Sequence, residues 1–166
     1  MLCPLNYTLI TRNERWAFCV LSFVLIEIAK GELMVCFDNI RDNAPEGQRA
    51  AVKALQVWII LISKAVNRQT INYNELSKKI GYENALFPLN QILGHIMYFC
   101  IQNNIPPLTI IVVSQEGIPG EGLVTVELND ISKFLQKQEN VFKFDWFNYL
   151  PPTIDEFHNA WEIGNR

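Results

Sequence analysis

Between Pro45 and Arg68, Ala51, Leu55, Trp58, Ile59, Leu61 and Ile62 recur close to helical spacing, while Arg49, Lys53 and Gln56 fall on other faces. That period predicts one long helix, broadly apolar toward its end and central to a core. QTINY (Gln69 to Tyr73) reads as a short extended link. NELSKKIGY (Asn74 to Tyr82) predicts a helix of about two turns, with Asn74 as its N-cap and Gly81 as its stop. A second helix follows in ALFPLNQILGHIMYFCIQNN (Ala85 to Asn104), capped by Asn84, with Pro88 near the start where a missing N–H costs little. Two helices joined by a tight glycine-containing turn form a helix-turn-helix pattern.

Downstream, LTIIVVS (Leu108 to Ser114) reads as a strand, QEGIPGEG (Gln115 to Gly122) as a turn or wing, and LVTVEL (Leu123 to Leu128) as a return strand. NDISKFLQKQ predicts a helix capped by Asn129 or Asp130, VFKFDW an extended piece, and TIDEFHNAWEIG a final acidic amphipathic helix. The fold class expected from this order is α+β and mostly helical: a winged helix-turn-helix-like domain with a short β wing and a C-terminal helix.

The first 33 residues do not share this pattern. WAFCVLSFVLIEIA (Trp16 to Ala29) is apolar, but it is shorter than the roughly 20 residues a bilayer span needs, and Glu27 interrupts it. Arg12 and Arg15 resemble the charged start of a signal peptide, yet no clear small-x-small cleavage site follows. Two readings stand: an apolar buried helix or strand, or an over-extended gene start. Lys30-Gly31-Glu32 can be encoded by a ribosome-binding sequence just upstream of Met34. The expected organisation is therefore residues 1–33 as an apolar or over-extended N-terminus, and 34–166 as a single winged-helix-like domain with an acidic aromatic extension.

Composition refines this picture modestly. With 166 residues, 49% hydrophobic and 19% charged, the chain can bury a core and is not a disordered type. A net charge of −3 supplies no global basic field for nucleic acid. The charge is uneven: Lys64, Arg68, Lys78 and Lys79 stand against Glu75 and Glu83 in the middle third, whereas nine acids face four bases from Glu116 onward. Cys3, Cys19, Cys36 and Cys100 form no CxxC pair, and with only His95 and His158 the chain offers no metal signature. Ordinary buried thiols in a reducing cytoplasm are expected, with no cofactor and no metal.

Two stretches carry a resemblance. INYNELSKKIGYENA (Ile71 to Ala85) is similar to the β-branched/polar-Tyr-x-x-Leu-Ala-x-x-x-Gly segment of the O6-alkylguanine DNA alkyltransferases and alkyltransferase-like proteins. IPPLTIIVVSQEGIPG (Ile105 to Gly120) resembles that family's Pro-Cys-His-Arg-Val strand and glycine wing. The resemblance spans roughly Gln69 to Gly122 and implies a helix-turn-helix that enters the minor groove. The family's base-replacing arginine maps by spacing to Phe87, an apolar wedge in place of a hydrogen-bonding side chain. Tyr73 takes the place of the tyrosine beside the flipped nucleotide, or it packs beneath the sheet. The reactive cysteine's place falls on Pro107, Leu108 or Thr109, and the following His-Arg pair is missing.

No enzyme is therefore expected. Cys100, five residues after His95, reads as core. Ser114, Glu116 and Glu121 read as solvated loop residues without a base-orienting set. The expected function is non-catalytic DNA binding through the helix-turn-helix and wing. Site residues are Tyr73, Lys78, Lys79, Asn84, Phe87, Asn90 and Gln91, and Lys64, Arg68 and the helix start near Asn84 add phosphate contacts. With so few cations, binding should be weak to moderate and strongly salt-dependent. The alternative is a protein-interaction adaptor. Phe144, Trp146, Phe147, Tyr149, Phe157 and Trp161 crowd a short acidic segment that either anchors a partner or clamps back onto the first helix. No membrane association is expected, and the oligomeric state is left open.

Overall fold

The computed structural model describes residues 36–82, 86–117 and 130–166, with Leu86 and Phe87 described as backbone. The chain packs as two units, Met1–Cys36 and Phe37–Arg166. Six helices, two short strands and three 3₁₀ turns are described in the second. They are α1 (Phe37–Asn43), α2 (Arg49–Val66), β1 (Ile71–Asn72), α3 (Tyr73–Lys79), α4 (Leu86–Gln102), β2 (Val112–Val113), α5 (Ile131–Lys143) and α6 (Ile154–Gly164). The described residues are thus mostly helical, with a two-stranded parallel sheet. Among them, no helix is long and apolar enough to cross a membrane.

α2 and α4 form the centre. Ala51, Ala54, Val57, Trp58, Leu61 and Ala65 line the buried stripe of α2. α4 is apolar nearly all round, and it packs against α2 on one side and α6 on another. The Trp58 ring meets Phe99, Trp146 and Phe157 edge-on at 5.8, 5.6 and 5.7 Å between centroids. This geometry suits aromatic quadrupoles, each pair adding about 0.5–1.5 kcal/mol beyond area burial. Glycine makes the α4–α6 contact possible: a Cβ on Gly94 would overlap the Trp161 ring, and one on Gly164 the Tyr98 ring. α6 is fixed at its start by a capping box, in which the Thr153 hydroxyl accepts from Glu156 N while Glu156 accepts from Thr153 N.

Several boundaries differ from the sequence expectation. α3 is capped by Asn72, whose Oδ1 accepts from Glu75 N at 2.7 Å, and not by Asn74. Asn72 is extended because it closes β1, and that is the backbone state an N-cap needs. LTIIVVS is not one strand: Leu108–Ile111 form a buried 3₁₀ turn, and only Val112–Val113 pair, in parallel with Ile71–Asn72. β1 ends where α3 begins, so the rest of the run finds no ladder. It closes its own bonds instead, starting with Ile110 N–H to the Pro107 carbonyl. α5, capped by Asp130, continues through Val141–Lys143, where an extended piece was expected. Trp146 then sits in a 3₁₀ turn, and its indole N–H donates to the Val141 carbonyl. The expected return strand Leu123–Leu128, most of the glycine wing and the Asn84 cap lie outside the described residues.

Candidate nucleic-acid interface

The turn after α3 is built from the end of that helix. Gly81 adopts φ +82°, its N–H donates to the Lys78 carbonyl, and Tyr82 N–H donates to the Ser77 carbonyl. This pair of bonds satisfies the last carbonyls of α3 and turns the chain toward α4, as a left-handed glycine at a helix end allows. The Ser77 hydroxyl donates to the Tyr82 carbonyl and tightens the same turn.

Beneath it lies a lysine the sequence reading placed on a polar face. Lys53 is fully buried. Its ammonium donates to Asp38 Oδ1 on α1 (2.8 Å), to Gln56 Oε1 (2.9 Å) and to the Ile80 carbonyl at the end of α3 (3.0 Å), and it lies over the Tyr82 ring. All three ammonium protons are used, which is what makes a buried charge tolerable. The helical period held the signal: Lys53, Val57 and Leu61 fall on one stripe, with the lysine at its end. α1 itself buries no residue and is held by polar contacts. The Lys53 ammonium holds the Asp38 carboxyl below the usual carboxylate range.

The solvent side of this turn is polar. Asn74, Lys78 and Lys79 are exposed on α3, and Asn90 and Gln91 are exposed in the first half of α4. Two lysines in the last turn of α3 also complement the helix dipole. Tyr73 is half-buried against the core as the first residue of α3. Phe87 lies in the first turn of α4 with its side chain outside the described residues, and Asn84 is outside them altogether. The other two expected cations are engaged elsewhere. Lys64 Nζ lies 3.6 Å from Glu75 Oε1. Arg68 pairs with Glu139 at 2.6 Å and stacks over Phe142, joining the end of α2 to α5. Among the described residues, Lys79 makes a long 3.8 Å contact with Glu75.

The place that resembles the reactive-cysteine strand is closed. Leu108 and Thr109 are buried, and the Thr109 hydroxyl has no hydrogen-bond partner among the described residues. Cys100 does come close, its thiol meeting the Leu108 backbone, but burial pushes the thiol up to about 12. At neutral pH that sulfur is protonated and a poor nucleophile. Cys36, by contrast, is exposed, so the expectation of uniformly buried thiols fails there. Among the described residues no group of three or more His, Cys, Asp or Glu could hold a metal.

His95 is buried and stacks flat on Trp161, with 4.8 Å between centroids. Its Nδ1–H donates to the Gln91 carbonyl at 2.8 Å, and Nε2 has no hydrogen-bond partner among the described residues. Burial holds this imidazole below its usual value. Most of the C-terminal aromatics are core: Trp146 and Phe157 are buried, and Phe144 and Tyr149 pack against the same cluster. Phe147 is the exception, with 78% of its surface in solvent.

Compared with protein-family models, curated proteins and solved structures, the chain finds no match in any of the three.

Proposed function

We propose that this protein is a non-catalytic DNA-binding module that meets the duplex with the solvent edge of α3 and the start of α4. The observation that carries this reading is the set of exposed polar and basic side chains on α3 (Asn74, Lys78, Lys79) and in the first half of α4 (Asn90, Gln91), with the end of α3 braced by buried Lys53. Short amides at the beginning of a second helix are suited to base edges or the groove floor, and lysines on the preceding helix to phosphates. The likeness of Ile71–Ala85 to the alkyltransferase-like helix-turn-helix supports the same assignment. A protonated, buried Cys100 supports the non-catalytic half of it.

Two available lysines set the expected strength. Binding is weak at physiological salt and tightens as salt is lowered. Mobility shift of a fluorescent 20–30 base-pair duplex at low ionic strength tests it (about that length covers one such module and its flanks). Wild type retards the duplex, and Lys78→Glu/Lys79→Glu does not. Absence of retardation by folded wild type at low salt refutes the proposal.

A further inference from the structure

α2 carries a second apolar stripe whose two ends, Ile59 and Val66, are exposed, while Ile62 between them packs partly against the core. Ile59, Ile62 and Val66 recur at spacings of three and four residues, the pattern of a helix–helix seam. Ile59 and Val66 are 53% and 41% exposed. Beside this stripe the 3₁₀ turn Trp146–Asn148 and the following loop build a groove of about 400 Å³, walled by Trp58, Ile62, Trp146 and Tyr149. Phe147 stands on its rim and Leu150, 85% exposed, follows close by in the chain. No lysine, arginine, aspartate or glutamate lines the groove; its polar lining is Ser63 and Asn67.

That chemistry selects the occupant. A nucleic acid or a charged peptide would find no counter-charge there, whereas aromatic enrichment with charge depletion marks the centre of a protein–protein contact. The same patch also holds both halves of a fit, a hollow and protruding apolar side chains beside it. An isologous two-fold contact requires that self-complementarity, because each surface must serve as both donor and receiver. Ile59, Val66, Phe147 and Leu150 are 53%, 41%, 78% and 85% exposed, apolar surface of the kind that a standard interface of roughly 800 Å² per partner covers. We infer that the occupant is a second copy of this chain: two molecules pair through their α2 stripes, each placing Phe147 in the other's groove. The pairing stands independently of DNA binding. If both hold, the dimer presents two helix-turn-helix edges, and paired half-sites offset the small number of cations on each.

Sedimentation velocity of the full chain over a ~100-fold concentration range tests this, at low and at high salt. The expected result is a shift from the 19.1 kDa monomer to twice that mass, persisting at high salt because the contact is apolar. Phe147→Asp/Leu150→Asp abolishes the shift and melts where dilute, monomeric wild type melts, since both side chains lie in solvent. Leu135→Asp, at an exposed apolar position on α5 outside the groove, leaves it intact. A wild type that stays monomeric throughout overturns the inference. So does dimerisation that survives the Phe147/Leu150 change, or is lost equally in Leu135→Asp.

Discussion

The aromatic centre and the α3–α4 edge are built on opposite principles. Around Trp58, three helices and a 3₁₀ turn meet through rings, and shape complementarity does the holding. At the edge, a short helix and a glycine turn are held by specific polar bonds: the Asn72 cap, the Ser77–Tyr82 pair and the buried Lys53 ammonium. The ring contacts around Trp58 involve no charged group, so added salt should change them little. The edge depends on a few directed bonds, so it can be weakened without unfolding the rest.

The largest effect that sharpens this contrast is expected from Trp58→Ala. Removing the ring that four other aromatics contact should cost about 3–5 kcal/mol in chemical denaturation and lower cooperativity across the whole domain. Lys53→Met should cost less, on the order of 1–3 kcal/mol, because the Ile80 carbonyl and Gln56 lose a buried donor while packing volume is kept. Its signature differs from that of Trp58→Ala: amide exchange should quicken first at Ile80–Tyr82, with α2 and α4 still protected. Gly94→Ala should fall in a similar range, about 1–3 kcal/mol, through overlap with the Trp161 ring.

A smaller effect comes from protons. His95 is held neutral in the fold, while in the unfolded chain an imidazole titrates near 6.5. Below that pH the unfolded state binds more protons, so stability falls as pH drops. Asp38, Asp130, Glu139 and Glu156 are all held low by their partners. Their contribution is present above the usual carboxylate range and is lost as pH falls below about 4. Thermal melts from pH 8 to 5 should therefore show a decline that His95→Gln flattens (roughly one pH unit either side of the free imidazole value). The smallest effect on stability belongs to Lys78→Ala/Lys79→Ala, within about 0.5 kcal/mol, because both side chains are exposed.

Much of the helical scaffold was legible in the sequence. The stripe through Ala51, Trp58 and Leu61 predicts α2, Pro88 marks the first turn of α4, and Gly81 marks the end of α3. What escaped was set by tertiary partners. Leu108–Ile111 has strand composition, and it forms a 3₁₀ turn because β1 is only two residues long. Asn72 and Asn74 are both competent caps, and the choice between them depends on where β1 pairs. Lys53 could be read as a surface residue until Ile80, Gln56 and Asp38 were found around its ammonium. At the candidate interface, sequence reasoning named Lys78, Lys79, Asn90 and Gln91, and all four are exposed. It over-counted the available cations, because the pairing of Arg68 with Glu139 spans two helices distant in the chain.

If Lys78 and Lys79 neutralise DNA phosphates, as proposed, the slope of log affinity against log salt measures it directly. Fluorescence polarisation across a salt series should give a negative slope for wild type, made shallower by about one for each lysine replaced by alanine. Identical slopes for wild type and Lys78→Ala/Lys79→Ala, with folding intact, would contradict the account.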